Sequence, residues 1–255
     1  MNAGAIAQRS GTQVAVEVVA ETGSTNADLL ARASTLEGPT LLVAEHQTAG
    51  RGRAGRSWLS APGDSLTFSL AWKFDLPLQQ LAGLPLAVGV ALAGALAACG
   101  VQVQLKWPND VLKDGSKLAG VLIETQAAPG GGIWAVIGIG MNLRMPDELE
   151  ERIGRSVAAA PWLAQMDRDE LMAALLASLA AALGEFRHAG FGAFSARWNR
   201  LHAWQGRPVS ILDNGSVLHD GLAAGVDDSG RLLLDCAEGR ITVLAGDVSL
   251  RTREA

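Results

Sequence analysis

Cysteine is nearly absent. The 255 residues hold two, Cys99 and Cys236, far apart in the chain. So few thiols exclude a disulfide framework. They read as small buried side chains kept reduced in the cytoplasm. Histidine is also scarce, and His46, His188, His202 and His219 show no metal-ligand spacing. Positive charge is not in excess. The formal net charge is −5, which argues against a general nucleic-acid surface. Residues 1–12 are polar and small, with no apolar stretch of the signal-peptide kind, and are expected to form a tail. There is no internal repeat and no low-complexity tract. The length suits one large domain followed by a small one.

One absence is misleading. Residues Leu76 to Leu105 carry no charge at all, which raises a membrane span. Gln79, Gln80, Pro85 and four glycines interrupt the run, and alanine supplies much of its apolarity. A buried helix from about Gln79 to Cys99, followed by a strand from Val101 to Lys106, is the expectation.

Periodicity supplies the rest. Val14, Val16 and Val18 alternate as in a strand, and Thr40 to Glu45 forms another. Leu66, Phe68, Leu70, Trp72 and Phe74 keep a period of two. Leu118–Glu124 and Ile133–Ile139 read as strands joined by Pro129-Gly130-Gly131-Gly132. Leu171, Leu175, Leu176, Leu179, Leu183 and Phe186 form a helical stripe within 169–188, and 191–204 continues as helix. From Val209 to Leu250 short alternating runs are cut by Asp213-Asn214-Gly215, Asp227-Asp228-Ser229-Gly230 and Glu238-Gly239. The reading is α+β with a small all-β unit, divided into 1–204 and 205–255.

The densest chemistry lies in Gly50-Arg51-Gly52-Arg53-Ala54-Gly55-Arg56-Ser57-Trp58. Glycines permit close backbone approach, and arginine forks bind carboxylate and phosphate oxygens. The stretch reads as a mobile loop that closes over an anion. Gly50, Gly52 and Gly55 match the dinucleotide fingerprint, and Gly50 to Ser57 nearly matches a P-loop. Both motifs must open a helix. The strand pattern that follows excludes them.

Other motifs stand beside strand ends. Gly23-Ser24-Thr25-Asn26 follows the first strand, where Ser24 or Thr25 could simply cap a helix. Lys106-Trp107-Pro108-Asn109-Asp110 precedes Lys117-Leu118-Ala119-Gly120, and Asn109-Asp110 could simply make a turn. Gly138-Ile139-Gly140-Met141-Asn142 ends a later strand. In this combination and order the chain closely resembles the biotin protein ligases, also called biotin–[acetyl-CoA-carboxylase] ligases. The likeness runs from Glu21 to Arg251, and its closing strand matches Gly246-Asp247-Val248-Ser249-Leu250-Arg251. Lipoate ligases and octanoyltransferases share that fold but lack the arginine loop and the β appendage.

The resemblance implies a central mixed sheet flanked by helices, like that of class II synthetases, then a small Src-homology-3-like barrel. It implies ATP and biotin as substrates, with Mg²⁺ accompanying ATP. Biotin becomes biotinyl-5′-AMP and then passes to a lysine of a biotin carboxyl carrier protein. Ser24, Thr25, Asn26 and Gln47 would bind the ureido end, with Gly50 and Arg51 adding backbone contacts. Gly120, Val121, Gly138 and Ile139 would line the slot for ring and chain. Arg53 and Lys117 would meet carboxylate and α-phosphate, and Arg56 with Gly52 the remaining phosphates. Trp58 would either anchor the closed loop or pack near adenine. Asn109 and Asp110 would flank the reacting centre, and Asp110 would either assist Mg²⁺ or accept a proton from the carrier amine. Asn142 and residues 143–155 would form the adenine side. Asp247 and Arg251 would reach in from the small unit toward nucleotide or carrier. The short lead before Ser24 implies the monofunctional form, without a DNA-binding domain, acting in the cytoplasm as monomer or homodimer. A non-catalytic biotin or biotinyl-AMP sensor is the alternative, and the presence of Arg53, Lys117 and Asp110 argues against it.

Overall fold

Two sheets carry the chain, and helices cover one of them. The computed structural model describes residues 1–153, 157–213, 215–246 and 248–252. The first segment, expected as a tail, is instead a helix, α1 (Ala3–Ser10). The Asn2 side chain caps its start, Gly11 closes it in the left-handed region, and Ile6 is fully buried. These capping residues outweigh the polar composition, because the helix docks on the long helix near the end of the large domain.

The strands of the first sheet are β1 (Ala15–Thr22), β2 (Thr40–Gln47), β3 (Ser65–Phe74), β4 (Gln104–Lys106), β5 (Asp110–Lys113), β6 (Ser116–Ala127) and β7 (Ile133–Asn142). Their order is β1-β2-β3-β7-β6-β5-β4, with β1 and β2 parallel and every other pair antiparallel. A short helix, α2 (Thr25–Ala31), makes the crossover from β1 to β2. The sheet is mixed, as the resemblance implied. The expected strand 101–106 shortens to Gln104–Lys106, because Gly100 and Val101 terminate the preceding helix.

That helix, α3 (Leu84–Ala98), is the uncharged segment. Pro85 sits in its first turn, where a missing N–H costs nothing. Val101 N–H donates to Leu96 O and Gly100 N–H to Ala97 O, a left-handed C-terminal cap with Gly100 at φ +80°. The residues before it, Leu78–Leu81, form a 3-10 turn, so the expected single helix from Gln79 is split. The stretch Leu78–Ala98 is long and apolar enough to cross a bilayer, yet 72% of its most apolar window is buried. It lies among β4, β5 and β6 on one side and two later helices on the other. Burial of most of its surface accounts for the apolarity, and the outer face carries small residues, Gly94, Ala97 and Ala98.

Three further helices follow: α4 (Asp147–Ile153), α5 (Arg168–Ala189) and α6 (Gly192–Leu201). Helix α4 occupies part of the stretch expected to form the adenine side. The second sheet joins β8 (Pro208–Asp213), β9 (Ser216–Val226), β10 (Leu232–Cys236), β11 (Gly239–Val243) and β12 (Val248–Thr252) in the order β11-β10-β9-β8-β12, all antiparallel. It is anchored to the large domain at the β9–β10 turn. Trp107 Nε1 donates to Gly230 O at 3.2 Å, and Ser195 Oγ to Asp228 Oδ1 at 2.7 Å. Asn199 bonds both the N–H and the C=O of Val226. Cys99 and Cys236 are unpaired thiols, and burial is the main cause holding both above the ordinary range.

Candidate functional site

A cleft opens where β3, β6 and β7 meet the arginine loop, the 106–110 turn and β12. One end is a closed chain of hydrogen bonds. Ser24 caps α2, its Oγ accepting from Ala27 N–H at 3.4 Å, so the capping reading holds and the residue still lines the cleft. The cap turns Thr25 and Asn26 inward, and they are only 2% and 4% exposed. Gln47, at the end of β2, accepts at Oε1 from Thr25 N–H at 2.8 Å, and Thr25 Oγ1 lies 3.0 Å from the same atom. Thr25 Oγ1 and Ser69 Oγ are 2.6 Å apart, and Ser69 donates to Asn26 Oδ1 at 2.6 Å. Asn26 Nδ2 donates to Glu124 Oε2 at 2.8 Å.

The sheet register supports this chain. Ser69 pairs with Gly138, and Gly138 with Leu122. Asn26 lies directly over Gly138, where a Cβ would come within 2.4 Å of its Oδ1. Ser69 and Glu124 carry signals that motif reading passed over. Ser65, Thr67 and Ser69 put a polar face on a strand that is buried on both sides. Glu124 is an even number of residues from Gly120 and so shares its face.

The other end is cationic. The loop is a tight hairpin, with an isolated bridge between Arg51 and Ser57 and a 3-10 turn over Arg53–Gly55. Ala54 and Gly55 both take positive φ, of 52° and 68°. The next element is β3, a strand, which removes the dinucleotide and P-loop readings for good. Trp58 N–H donates to Gly50 O at 2.8 Å, and a Cβ at Gly50 would come within 2.6 Å of Trp58 O. The Trp58 ring lies on Gly140, where a Cβ would be 2.2 Å from its Cε2. Its indole Nε1 is buried without a partner among the described residues.

Arg53 reaches across the cleft. Its Nη1 donates to Asn109 Oδ1 at 3.2 Å, and its Nη2 donates to Gly246 O. Asn109 is held in turn, with Nδ2 donating to Val121 O at 2.7 Å. Asp110 stands between two ammonium groups, in an ion pair with Lys117 and 3.8 Å from Lys106. The Lys117 ammonium is 5.8 Å from the Trp58 ring centre.

A β-bulge makes this arrangement possible. Val111 faces Ala119, but Leu112 faces Lys117, so Leu118 is an extra residue in β6. On a regular strand Lys117 and Gly120 would point to opposite faces. The bulge brings both to the cleft, and a Cβ at Gly120 would be 2.9 Å from the Lys117 ammonium.

Arg51, Gly52, Arg53, Arg56 and Trp58 thus meet Ser24, Thr25, Asn26 and Gln47 in one cleft with Asn109, Asp110, Lys117, Gly120 and Gly138. Val121, Ile139 and Arg251 line it as well. Asn142 is placed differently. It is 3% exposed, and its Nδ2 donates to Ala158 O at 3.1 Å and Lys117 O at 3.5 Å. Its side chain pins backbone below the cleft. Asp247 and Arg155 lie outside the described residues. Among the described residues no group of three or more His, Cys, Asp or Glu could hold a metal ion.

Comparison with known proteins agrees with this geometry. Residues 16–142 match the Biotin/lipoate A/B protein ligase family, and residues 206–251 match the Biotin protein ligase C terminal domain. A biotin–[acetyl-CoA-carboxylase] ligase of Mycobacterium tuberculosis is 38% identical over 91% of this chain and 88% of its own. The bifunctional ligase/repressor BirA of Escherichia coli is 35% identical over 98% of this chain and 77% of its own. Among solved structures, a biotin protein ligase from Aquifex aeolicus in complex with biotin and ATP superposes with a TM-score of 0.77 at 29% identity, over 93% of this chain and 99% of that one. Sequence identity along nearly the full chain, matched twice over by domain and once by fold, means that this protein belongs to the biotin protein ligase family.

Proposed function

We propose that this chain is an ATP-dependent biotin protein ligase. It activates biotin to biotinyl-5′-AMP and transfers the biotinyl group to one lysine of a biotin carboxyl carrier protein, in the cytoplasm. The observation that carries the reading is the division of a single cleft. A prebuilt hydrogen-bonding end fits a cyclic urea, and a cationic end lies across it.

The first step brings a carboxylate onto an α-phosphate, two groups that repel each other. Fixed cations offset that repulsion and stabilise charge on the transferring phosphoryl group. Arg53 and Lys117 line the cleft and would serve this purpose, and Arg56 and Arg251 add charge at its walls. The carboxylate oxygen bonds to phosphorus as the bond to the departing pyrophosphate breaks. In the second step the carrier amine bonds to the acyl carbon and AMP leaves. The anhydride formed in between is exposed to water, and closure of the arginine loop with its Trp58 excludes it.

Among the described residues lining the cleft Asp110 is the single carboxylate, and Lys106 and Lys117 already engage it. This donor set suits orientation of Lys117 and does not fit a cage for Mg²⁺. A Mg²⁺ carried on the ATP phosphates keeps water and phosphate oxygens as ligands and needs no such cage. The non-catalytic sensor reading has no use for Arg53, Asp110 and Lys117 lining one cleft.

Mixing the protein with biotin, ATP and a carrier domain tests the proposal. The carrier gains the mass of one biotinyl group, and pyrophosphate appears in step with biotin. An unmodified carrier under saturating substrates would refute it.

A further inference from the structure

We propose that Glu124 is a positioning residue. It fixes the direction of the hydrogen bonds among Asn26, Ser69 and Thr25 at the biotin-recognition end and ties that end to the arginine loop. The inference rests on the ligase reading above for the identity of the ligand.

The argument begins with an ambiguity. The amide of Asn26 has nearly the same shape with oxygen and nitrogen exchanged, so packing alone does not orient it. An ionised carboxylate removes the ambiguity because it only accepts. Glu124 Oε2 lies 2.8 Å from one end of the amide, so that end is the NH₂ group. Its second hydrogen points toward Leu122 O at 3.4 Å. The oxygen of Asn26 therefore faces Ser69, which must donate its only proton at 2.6 Å. Ser69 can then only accept from Thr25, 2.6 Å away. With the Thr25 hydroxyl proton committed to Ser69, its backbone N–H is what holds Gln47 Oε1, and the Gln47 NH₂ group is turned away from Thr25. One charge beside the site thus sets donors and acceptors through three side chains, Asn26, Ser69 and Thr25, and the Thr25 backbone N–H orients the fourth, Gln47.

A cyclic urea makes this polarity matter. Its ring presents one carbonyl acceptor between two N–H donors. A recognition end that could invert would present mismatched groups for part of the time, and each mismatch leaves a buried polar group unpaired. Glu124 also reaches the loop. The same Oε2 is 3.6 Å from Arg51 Nη2, so one oxygen receives the recognition amide and the first arginine of the loop. Glu124 does not line the cleft itself and acts through Asn26 and Arg51.

The test is titration calorimetry with biotin alone, joined to steady-state kinetics of pyrophosphate release. Three variants are compared: Glu124→Gln, Asn26→Asp, and both together. An amide at 124 offers donor and acceptor alike, so Glu124→Gln weakens biotin binding at least tenfold. The KM for biotin rises in parallel, while kcat at saturating biotin and the KM for ATP move less than threefold. Asn26→Asp sets two carboxylates face to face and also weakens binding. The double variant restores one donor to one acceptor and regains most of what Asn26→Asp lost. Hydrogen exchange over residues 50–58 speeds up in Glu124→Gln. A biotin Kd for Glu124→Gln within twofold of the parent, or a double variant no better than the product of the singles, overturns the proposal. So does a parent that binds no biotin. A parent that binds biotin and shows the pattern but leaves the carrier unmodified sinks the ligase reading and keeps this one.

Discussion

The two ends of the cleft are built in different ways. The biotin end comes from α2, β2, β3 and β6 of one sheet, and its side chains satisfy one another before any ligand arrives. The phosphate end is assembled from three separate parts: a hairpin loop, a turn with its bulged strand, and a carbonyl from the C-terminal segment. In the proposed reading recognition rests on the sheet, while chemistry sits at a junction. The first should change affinity when disturbed, and the second should change rate.

The largest effect is expected at the junction. Lys117→Ala should slow pyrophosphate release about 10²–10³-fold, the usual cost of losing a fixed donor at developing charge. Its melting temperature should stay close to the parent's, because the side chain lies at the edge of the cleft. Arg53→Ala should behave likewise. A parental rate in either variant would break the assignment. Next in size is the recognition end. Gln47→Ala removes the acceptor of the Thr25 N–H and should raise the KM for biotin by about tenfold, the equivalent of about 1.4 kcal/mol. A fall in kcat at saturating biotin, with KM unmoved, would erase the contrast between the two ends.

A smaller effect probes the link between the sheets. Trp107→Phe deletes the bond to Gly230 O in the β9–β10 turn and should cost about 1 kcal/mol of stability. Because Trp107 adjoins Asn109 and Asp110, kcat should fall a few-fold while biotin affinity is kept. Equal kcat with altered biotin affinity would show that the second sheet serves recognition instead. The smallest effect concerns His202, at the same junction. Burial is the main cause pushing its imidazole below the ordinary value of about 6.5, and a bond with Gln205 opposes this. The unfolded chain therefore takes up the proton first, and stability is lost as pH falls through about 6.5. Denaturant melts at about pH 7.5 and about pH 5.5 should show a larger loss in the parent than in His202→Gln. Equal losses would remove His202 from the account.

Much of this was legible beforehand, for reasons that differ by region. The arginine hairpin, the Ser24 cap and the Trp107–Asp110 turn announce themselves because each depends on a local run of residue types. The strand periods led to the sheet for the same reason. What escaped depends on register. The extra residue at Leu118, which turns Lys117 toward the cleft, leaves no trace in composition. The roles of Ser69 and Glu124 emerge only when Ser69, Gly138 and Leu122 are aligned across three strands. Asn142 carries the family motif, yet its amide holds backbone carbonyls, a distinction that spacing cannot make. The helix α1 was missed because its stability comes from packing on α5, more than a hundred and fifty residues later.

The same ordering in sequence bears on how the protein is made. Helix α3 is uncharged, and the elements packed on it, β4, β5, β6, α5 and α6, are all synthesised after it. A nascent chain that has not yet reached Arg168 presents a stretch of membrane-spanning length, Leu78–Ala98, with much of its partner surface still unmade. During that interval the segment offers the cell what a true bilayer span offers, an invitation to targeting factors and to aggregation. The interruptions at Gln79, Gln80 and Pro85 weaken that invitation. The burial that makes the finished enzyme stable is thus the source of its greatest exposure at birth.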